Sequence, residues 1–166
     1  MYYFNYISPL GEMIGLSDGK YLQGLYFVSE KSFKPEDNKQ YTRQQNLNIF
    51  LKTTKFLDQY FSGKTVDSRE IPVSISGTEF RKKVWKILYN IPYGKTVTYK
   101  EISETISLST GKRTSARAVG NAVGHNPISI IIPCHRVIGA NGNLTGYAWG
   151  LDRKKILLNI ESKKKL

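Results

Sequence analysis

The chain has 166 residues, of which 40% are hydrophobic and 12% aromatic, so it is long enough to bury a core and is not a disordered tail. Its 25 lysine and arginine residues outnumber its 13 aspartate and glutamate residues, which gives a formal net charge of +12 at pH 7. An excess of this size in a small protein favours a polyanionic partner, and we expect nucleic acid rather than an anionic membrane surface.

The chain contains one cysteine, Cys134, and two histidines. A single cysteine excludes an internal disulfide framework, and this set leaves little for a structural zinc site. The N-terminal sequence has no basic leader before an apolar core, and no apolar stretch approaches membrane-spanning length. We therefore expect a reduced, cytoplasmic protein without membrane association, metal or cofactor, in which the thiol stays free.

The N-terminal part predicts a small antiparallel hairpin sheet with a helix across it. Three segments have the composition of β-strands: residues 2–7, 13–16 and 21–28. Asp18-Gly19 between the last two is typical of a hairpin turn. Apolar residues recur at helical spacing within 42–61, and a short strand is expected at 71–75. These elements predict an α/β domain at residues 1–76.

The remaining residues, 77–166, predict a mostly helical domain. Four helices are expected, which cover about 79–88, 98–106, 116–123 and 151–162 and precede a solvated SKKKL tail. Thr98 and Glu101 match a capping box, in which each side chain satisfies a backbone amide at the start of the helix. The second and third helices are joined by a tight, basic connection, which resembles a helix-turn-helix of the winged-helix type.

The segment IIIPCHRVIGANG contains the single cysteine. Its β-branched run, 130–132, predicts a buried strand that ends at Pro133, because proline restricts the preceding residue to an extended conformation. Cys134 would then lie at a strand exit, where positive charge from His135 and Arg136 would lower its pKa and favour the thiolate. Without other evidence, however, a lone cysteine is more often a small residue of the core.

The stretch IPCHRV, residues 132–137, resembles the active-site signature of the 6-O-alkylguanine-DNA alkyltransferases. Other features fall in the order and approximate spacing of that family: Thr98-Tyr99, Ala116-Arg117-Ala118-Val119-Gly120, Asn126-Pro127, Gly146-Tyr147 before Gly150-Leu151, and Glu161. The resemblance to the family covers residues 80–161, about half of the chain. The N-terminal half resembles the family only in its predicted order of elements, a β-hairpin followed by a helix. The resemblance implies a ribonuclease-H-like domain at 1–76 and a DNA-binding, alkyl-accepting domain at 77–166.

The resemblance implies that Cys134 is the alkyl acceptor. The implied proton path runs from the thiol through a water to His135 and on to Glu161, which orients the imidazole and raises its basicity. Tyr99 would donate its hydroxyl to the purine or crowd the neighbouring phosphate. Taken without the family, Tyr99 also fits a tyrosine of the core, and His135 and Glu161 also fit solvent-facing side chains.

The resemblance also implies a helix that enters the minor groove of DNA. Arg117 would occupy the place of the extruded base, although a phosphate contact beside Lys112 and Arg113 is a second interpretation. The small residues that would let this helix approach DNA closely are Ala116, Ala118, Gly120 and Ala122.

The pocket for the flipped base would be lined by Val137, Tyr147 and Ala148, with the bulky Trp149 next to them. Asn126 would tie the DNA-binding helix to the active-site strand through backbone hydrogen bonds, although Asn-Pro alone is typical of a turn. A structural role is expected for Arg136, through hydrogen bonds to carbonyl groups around the loop. Eukaryotic members carry an N-terminal zinc site, and this chain lacks the cysteines for it.

We therefore expect a monomeric DNA repair enzyme that acts once. It would bind double-stranded DNA, flip out 6-O-alkylguanine and transfer the alkyl group irreversibly to Cys134, with 4-O-alkylthymine open as a further substrate. One alternative is a non-catalytic alkyltransferase-like protein, although those carry tryptophan in place of the cysteine. A second alternative is a helix-turn-helix regulator, although the second helix has few side chains that could read bases. A third is a Cys–His hydrolase, in which the histidine would be remote in sequence from the cysteine rather than adjacent to it.

Overall fold

A four-stranded sheet forms the centre of the first of two units in this computed structural model, which describes residues 1–162. The end of the predicted basic tail, 163–166, lies outside the described residues. The sheet has the order β3-β2-β1-β4, and its strands are β1 (Tyr2–Ser8), β2 (Gly11–Ser17), β3 (Leu22–Phe27) and β4 (Thr42–Arg43). The first three are antiparallel neighbours, which confirms the predicted hairpins, and β4 pairs in parallel with β1.

Helix α1 (Asn48–Phe61) packs on this sheet. It begins later than the predicted helix over 42–61, because Thr42 and Arg43 are extended and pair with β1. The ring of Phe50 on α1 stacks on that of Phe4 in β1, with 4.5 Å between centroids. The predicted strand at 71–75 is reduced to a single bridge between Val73 and Leu22.

The chain returns to the first unit at Pro127–Ile131, within the segment that the sequence assigned to the C-terminal domain. The amide of Leu25 in β3 donates to the carbonyl of Pro127, and the amide of Ser129 donates to the carbonyl of Leu25. Pairing with β3 therefore fixes this short segment in the first unit.

The predicted buried strand at 130–132 is wrong. Ile130 is buried, but its φ of 69° lies in the left-handed region, which a β-branched residue rarely adopts. The amide of Ile131 donates to the carbonyl of Ser129, which closes a tight turn around Ile130. The chain thus turns back on itself before Cys134 instead of extending toward it.

The second unit comprises Gly77–Asn126 and the described residues from Ile132 onward. Its helices are α2 (Glu79–Tyr89), α3 (Tyr99–Thr110), α4 (Ala116–Gly124) and α5 (Leu151–Ser162), and a parallel pair joins β5 (Val97–Thr98) to β6 (Val137–Ile138). All four predicted helices are confirmed, and so is the capping box of Thr98 and Glu101. Helix α3 extends past its predicted end at 106 and stops at Gly111, which adopts the left-handed conformation of a helix C-cap.

Helices α2 and α4 are joined by a buried hydrogen bond, in which the indole nitrogen of Trp85 donates to the carbonyl of Ala122 over 2.9 Å. Apolar residues of three helices surround this contact: Val84, Leu88, Ile102, Ile106, Val119 and Val123. Among the described residues, no helix has both the length and the apolar character needed to cross a membrane.

The packing of β1 against β2 generates a stability prediction. A Cβ at Gly15 would overlap the aromatic ring of Phe4, which is itself buried under Phe50. We expect Gly15→Ala to lower the free energy of unfolding by about 1–3 kcal/mol, because the core must shift to admit a methyl group. Urea denaturation measures this loss.

The matched control is Gly24→Ala on the neighbouring strand, where a Cβ would contact only the flexible side chain of Leu16, at 3.2 Å. It should lose less stability than Gly15→Ala. Equal losses would show that overlap with the Phe4 ring is not the cause.

Candidate active site

Cys134 begins a short 3-10 turn, Cys134–Arg136, directly after Pro133. Pro133 has φ −81° and ψ 68°, and the amide of Cys134 donates to the carbonyl of Ile132 over 2.8 Å, which together form an inverse γ-turn. Only 6% of the Cys134 surface is exposed. Two successive tight turns, rather than a strand, thus present the cysteine.

The thiol lines a small cavity of about 90 Å³ within the second unit. Two of its walls are the starting turn of α3 and one face of α4, and the third is the loop that precedes α5. The lining residues are Tyr99, Gly120, Val123, Gly124, Cys134, Gly146, Tyr147 and Ala148. The site therefore combines the cysteine with two tyrosines, and the remaining lining residues are small: three glycines, an alanine and a valine.

Two residues predicted to line the base pocket are not part of this cavity. Val137 is fully buried in β6, where it pairs with Val97 of β5, so its side chain belongs to the core. Trp149 lies one residue beyond the lining loop, and its carbonyl accepts a hydrogen bond from Arg153. Tyr147 and Ala148 line the cavity, and the role of Val137 and Trp149 toward a flipped base stays a prediction.

The environment of the thiol differs from the predicted one. Burial raises the pKa of Cys134 above its ordinary value, although a hydrogen bond from Asn126 and the charge of Lys154 act in the opposite direction. Arg136 does not supply the predicted positive charge, because its guanidinium is directed to Glu161 and to the carbonyl of Ile91. The resting cysteine is therefore a neutral, buried thiol.

The two tyrosines of the cavity are held differently. Tyr99 donates its hydroxyl to the carbonyl of Thr145 over 3.1 Å, so it supports the loop that forms the opposite wall. The hydroxyl of Tyr147 is buried and has no hydrogen-bond partner among residues 1–162. Burial raises the pKa of both tyrosines, so both remain neutral donors.

The structure brings His135 and Glu161 together. His135 is fully buried, and its Nε2 donates to Oε1 of Glu161 over 2.6 Å. Arg136 donates to both oxygens of the same carboxylate, from Nε over 2.8 Å and from a terminal nitrogen over 3.0 Å. The amide of Gly94 adds a further donor at 3.1 Å. Glu161 on α5 thus holds two consecutive side chains of the Cys134 turn.

The charges of this cluster are well defined. Burial alone would raise the pKa of Glu161, but the hydrogen bonds from His135 and Arg136 and the positive charge of Arg136 bring it down to about 2. Burial lowers the pKa of His135 and outweighs the opposing hydrogen bond to Glu161. At rest the cluster is therefore an ionised Glu161–Arg136 pair with a neutral imidazole attached to it.

Asn126 also contacts the site. Its amide nitrogen donates to the carbonyl of Ile132 over 2.7 Å, in addition to the hydrogen bond with the Cys134 thiol. The residue follows the last turn of α4 and thus connects that helix to the Cys134 turn. The connection is made to a turn and not to the predicted strand.

Lys154 was not predicted from the sequence. This lysine of α5 is completely buried, and its Nζ donates to the carbonyls of Thr145 and Gly146 over 2.7 and 3.1 Å. Burial lowers its pKa to about 8. The buried residues of α5, Lys154, Leu157 and Glu161, follow helical spacing, and this spacing was the available signal.

The predicted DNA contacts lie on an exposed part of the second unit. Arg117 is exposed in the first turn of α4, and Lys112 and Arg113 are exposed in the preceding turn. Ala116 and Ala118 are exposed as well, whereas Gly120 is half-buried and Ala122 is buried. Among residues 1–162, no group of three or more histidine, cysteine and carboxylate side chains is placed to hold a metal ion.

Comparison with known proteins places the chain in a family. Residues 1–75 match the model for the ribonuclease-like domain of 6-O-methylguanine DNA methyltransferase, and residues 79–163 match the model for its DNA binding domain. The chain belongs to this family.

Individual members of the family agree over nearly the whole chain. The methylated-DNA–protein-cysteine methyltransferase of Methanosarcina barkeri is 45% identical and covers 97% of each chain. The Haemophilus influenzae protein of the same name is 39% identical and covers 97% of this chain and 86% of its own. The crystal structure of Mycobacterium tuberculosis OGT in complex with DNA is similar with a TM-score of 0.85 and 39% identity, over 98% of this chain and 93% of that one.

The thiol environment of this methyltransferase generates a pH prediction. Because burial raises the pKa of Cys134, the thiol should be protonated near neutral pH and should ionise only as the pH rises above its ordinary pKa. Asn126→Ala should raise that pKa further, since it removes the hydrogen bond to the sulfur that favours the thiolate.

Thiolate absorbance in the ultraviolet measures both pKa values, and Cys134→Ala provides the background from the tyrosines. A thiolate already formed at neutral pH would contradict the prediction. A lower cysteine pKa in the Asn126→Ala protein would show that Asn126 does not favour the thiolate.

Proposed function

We propose that the protein repairs DNA by transferring the alkyl group of 6-O-alkylguanine to Cys134, irreversibly and once per molecule. The observation that carries this proposal is the Cys134 thiol in a small cavity beside Tyr99 and Tyr147, backed by the His135–Glu161 pair. The names of the relatives, methylated-DNA–protein-cysteine methyltransferases, support the same reaction.

The reaction is a single displacement at carbon. The Cys134 sulfur forms a bond to the alkyl carbon while the carbon–oxygen bond breaks, and the electron pair of that bond returns to the guanine oxygen. The thiol proton leaves as the thiolate forms, and a proton is delivered to the departing guanine. The product is a thioether, which has no route back to a thiol in this site.

The buried cluster supports His135 as the proton acceptor. A neutral imidazole, held through Nε2 by Glu161, can take the thiol proton on its other ring nitrogen through a water. The ionised carboxylate then stabilises the imidazolium that forms. Arg136 keeps Glu161 ionised, so we assign it a structural role in this cluster.

Two further groups support the thiolate at the moment of transfer. The Asn126 amide donates to the sulfur, and Lys154 contributes positive charge from the other side of the cavity. The buried hydroxyl of Tyr147 is a neutral donor, and Tyr99 becomes one when it releases the carbonyl of Thr145, which suits a flipped base whose oxygen gains negative charge. Ionisation of the buried thiol is thus coupled to arrival of the substrate.

The charge of the chain supports duplex DNA as the partner. Of the 25 basic residues, 16 lie in 77–166 together with 5 of the 13 acidic residues, which leaves a net charge of about +11 there and about +1 in 1–76. The exposed Arg117 lies at the N-terminus of α4 beside small residues, as a helix in the minor groove requires. We assign Arg117 to the place of the extruded base.

The finer organisation is part of the same proposal. Residues 1–76 are assigned as a ribonuclease-H-like domain, and 77–166 as the domain that binds DNA and accepts the alkyl group. Helices α3 and α4 with their short connection are the helix-turn-helix element, to which the β5–β6 pair adds a winged-helix character. We propose a monomer located in the cytoplasm, where reducing conditions keep Cys134 free.

The reaction is tested by mass spectrometry after incubation with an oligonucleotide that contains methylguanine. We expect a methyl-sized mass gain on the peptide that contains Cys134, at one per molecule, because the thioether is stable. The Cys134→Ser protein is the control and should gain nothing. An unchanged Cys134 peptide in the unaltered protein would overturn the proposed function.

The role of Arg117 gives a separate prediction. Arg117→Ala should reduce transfer from alkylated duplex DNA by at least tenfold more than transfer from free benzylguanine, because only the duplex requires base flipping. Arg43→Ala, an exposed arginine of β4, is the matched control and should leave both rates unchanged. Equal loss of both rates in Arg117→Ala would mean that Arg117 shapes the pocket rather than the flip.

A further inference from the structure

A second, larger groove lies in the second unit, next to the N-terminus of α4. It has a volume of about 980 Å³ and is bounded by α2, the end of α3 and the turn that joins α3 to α4. Its lining residues are Phe80, Lys83, Ile106, Ser109, Thr110, Lys112, Arg113, Thr114, Ser115 and Ala118. Most of these side chains are exposed, so the groove is an open channel rather than an enclosed cavity.

The rim of this groove is cationic. Lys83 comes from α2, and Lys112 and Arg113 come from the turn before α4. Within residues 1–162, none of these three side chains forms an ion pair, whereas Lys82 on the same helix pairs with Glu79. The N-terminus of α4 adds partial positive charge from backbone amides that have no acceptor within the helix.

The groove is fixed before any ligand arrives. The amide of Thr114 donates to the hydroxyl of Ser107 over 2.9 Å, which holds the turn against α3. The hydrogen bond from Trp85 to Ala122 joins α2, the helix that carries Lys83, to α4. Lys83 of α2 and the pair Lys112 and Arg113 of the turn before α4 therefore line the same groove.

The floor of the groove is apolar, since it is formed by Phe80, Ile106 and Ala118. A channel with an apolar floor and a cationic rim matches a sugar–phosphate backbone, which presents apolar sugar faces and charged phosphates. The groove shares Ala118 and the N-terminus of α4 with the surface that we assigned to the minor groove. A DNA strand that passes α4 would therefore continue into it.

We propose that this groove binds the backbone of duplex DNA that flanks the minor-groove contact, and that Lys83 of α2 is a phosphate-binding residue. This inference extends the proposed function to a second surface, and it assigns a DNA contact to a helix outside the α3–α4 pair. Lys112 and Arg113 bind the same strand from the opposite rim.

Binding of undamaged duplex DNA as a function of salt concentration tests the proposal. Lys83→Ala should lower the magnitude of the log–log salt slope by about 0.9, because one phosphate contact is lost, and should weaken binding by roughly fivefold to tenfold near ~0.1 M salt. Lys83→Arg should retain the slope, since the positive charge stays on the rim. Urea denaturation of each variant confirms that it is folded.

The matched control is Lys86→Ala, which removes the same charge from an exposed position of α2 that does not line the groove. Its slope should stay that of the unaltered protein. Equal slopes for Lys83→Ala and Lys86→Ala, or a reduced slope for Lys83→Arg, would overturn the proposal. Because undamaged DNA is used, this result is independent of alkyl transfer to Cys134, whose failure would be seen only by mass spectrometry.

Discussion

The carboxylate of Glu161 is the contact on which the arrangement of the active site depends. It accepts from His135, from Arg136 and from the amide of Gly94, so one side chain of α5 connects the Cys134 turn to the loop that follows α2. A buried carboxylate is costly unless its charge is paired and its oxygens are hydrogen-bonded. Arg136 supplies the charge, and among these three partners His135 is the one whose protonation can change during the reaction. The Glu161 carboxylate therefore holds both the backbone at Gly94 and the side chain of His135, the proposed proton acceptor.

Cys134 occupies a site that opposes its ionisation at rest. Burial raises its pKa, while Asn126 and Lys154 supply a hydrogen bond and a positive charge that favour the thiolate without outweighing burial. This balance suits a residue that can react only once, because a permanently exposed thiolate would be consumed by other electrophiles. In the proposed reaction the electrophile is the alkyl carbon of the flipped base. The thiolate therefore needs to form only when that base occupies the cavity.

The sequence predicted the elements that are local and failed where the chain is governed by tertiary contacts. The capping box at Thr98 depends on neighbours a few residues apart, and it is present as predicted. The strand at 130–132 was inferred from β-branched composition, but the left-handed Ile130 is stabilised by burial that no local pattern encodes. The contact between His135 and Glu161 was predicted only through the resemblance to the family, because the two lie 26 positions apart in sequence. Lys154 was missed because a lysine in an amphipathic helix is ordinarily exposed, and only its carbonyl partners allow its burial.

Helix α4 has three separate faces in only nine residues, and this explains its composition. Val119, Ala122 and Val123 are buried against the unit, Gly120 lines the Cys134 cavity, and the exposed first turn carries Arg117. A larger side chain at Gly120 would enter the Cys134 cavity, and under the proposed function larger side chains in the first turn would hold the helix away from DNA. The small residues of α4 are thus required for two reasons at once. Because Asn126 lies two residues after the end of this helix and donates to the Cys134 thiol, one side chain joins the end of α4 to the sulfur.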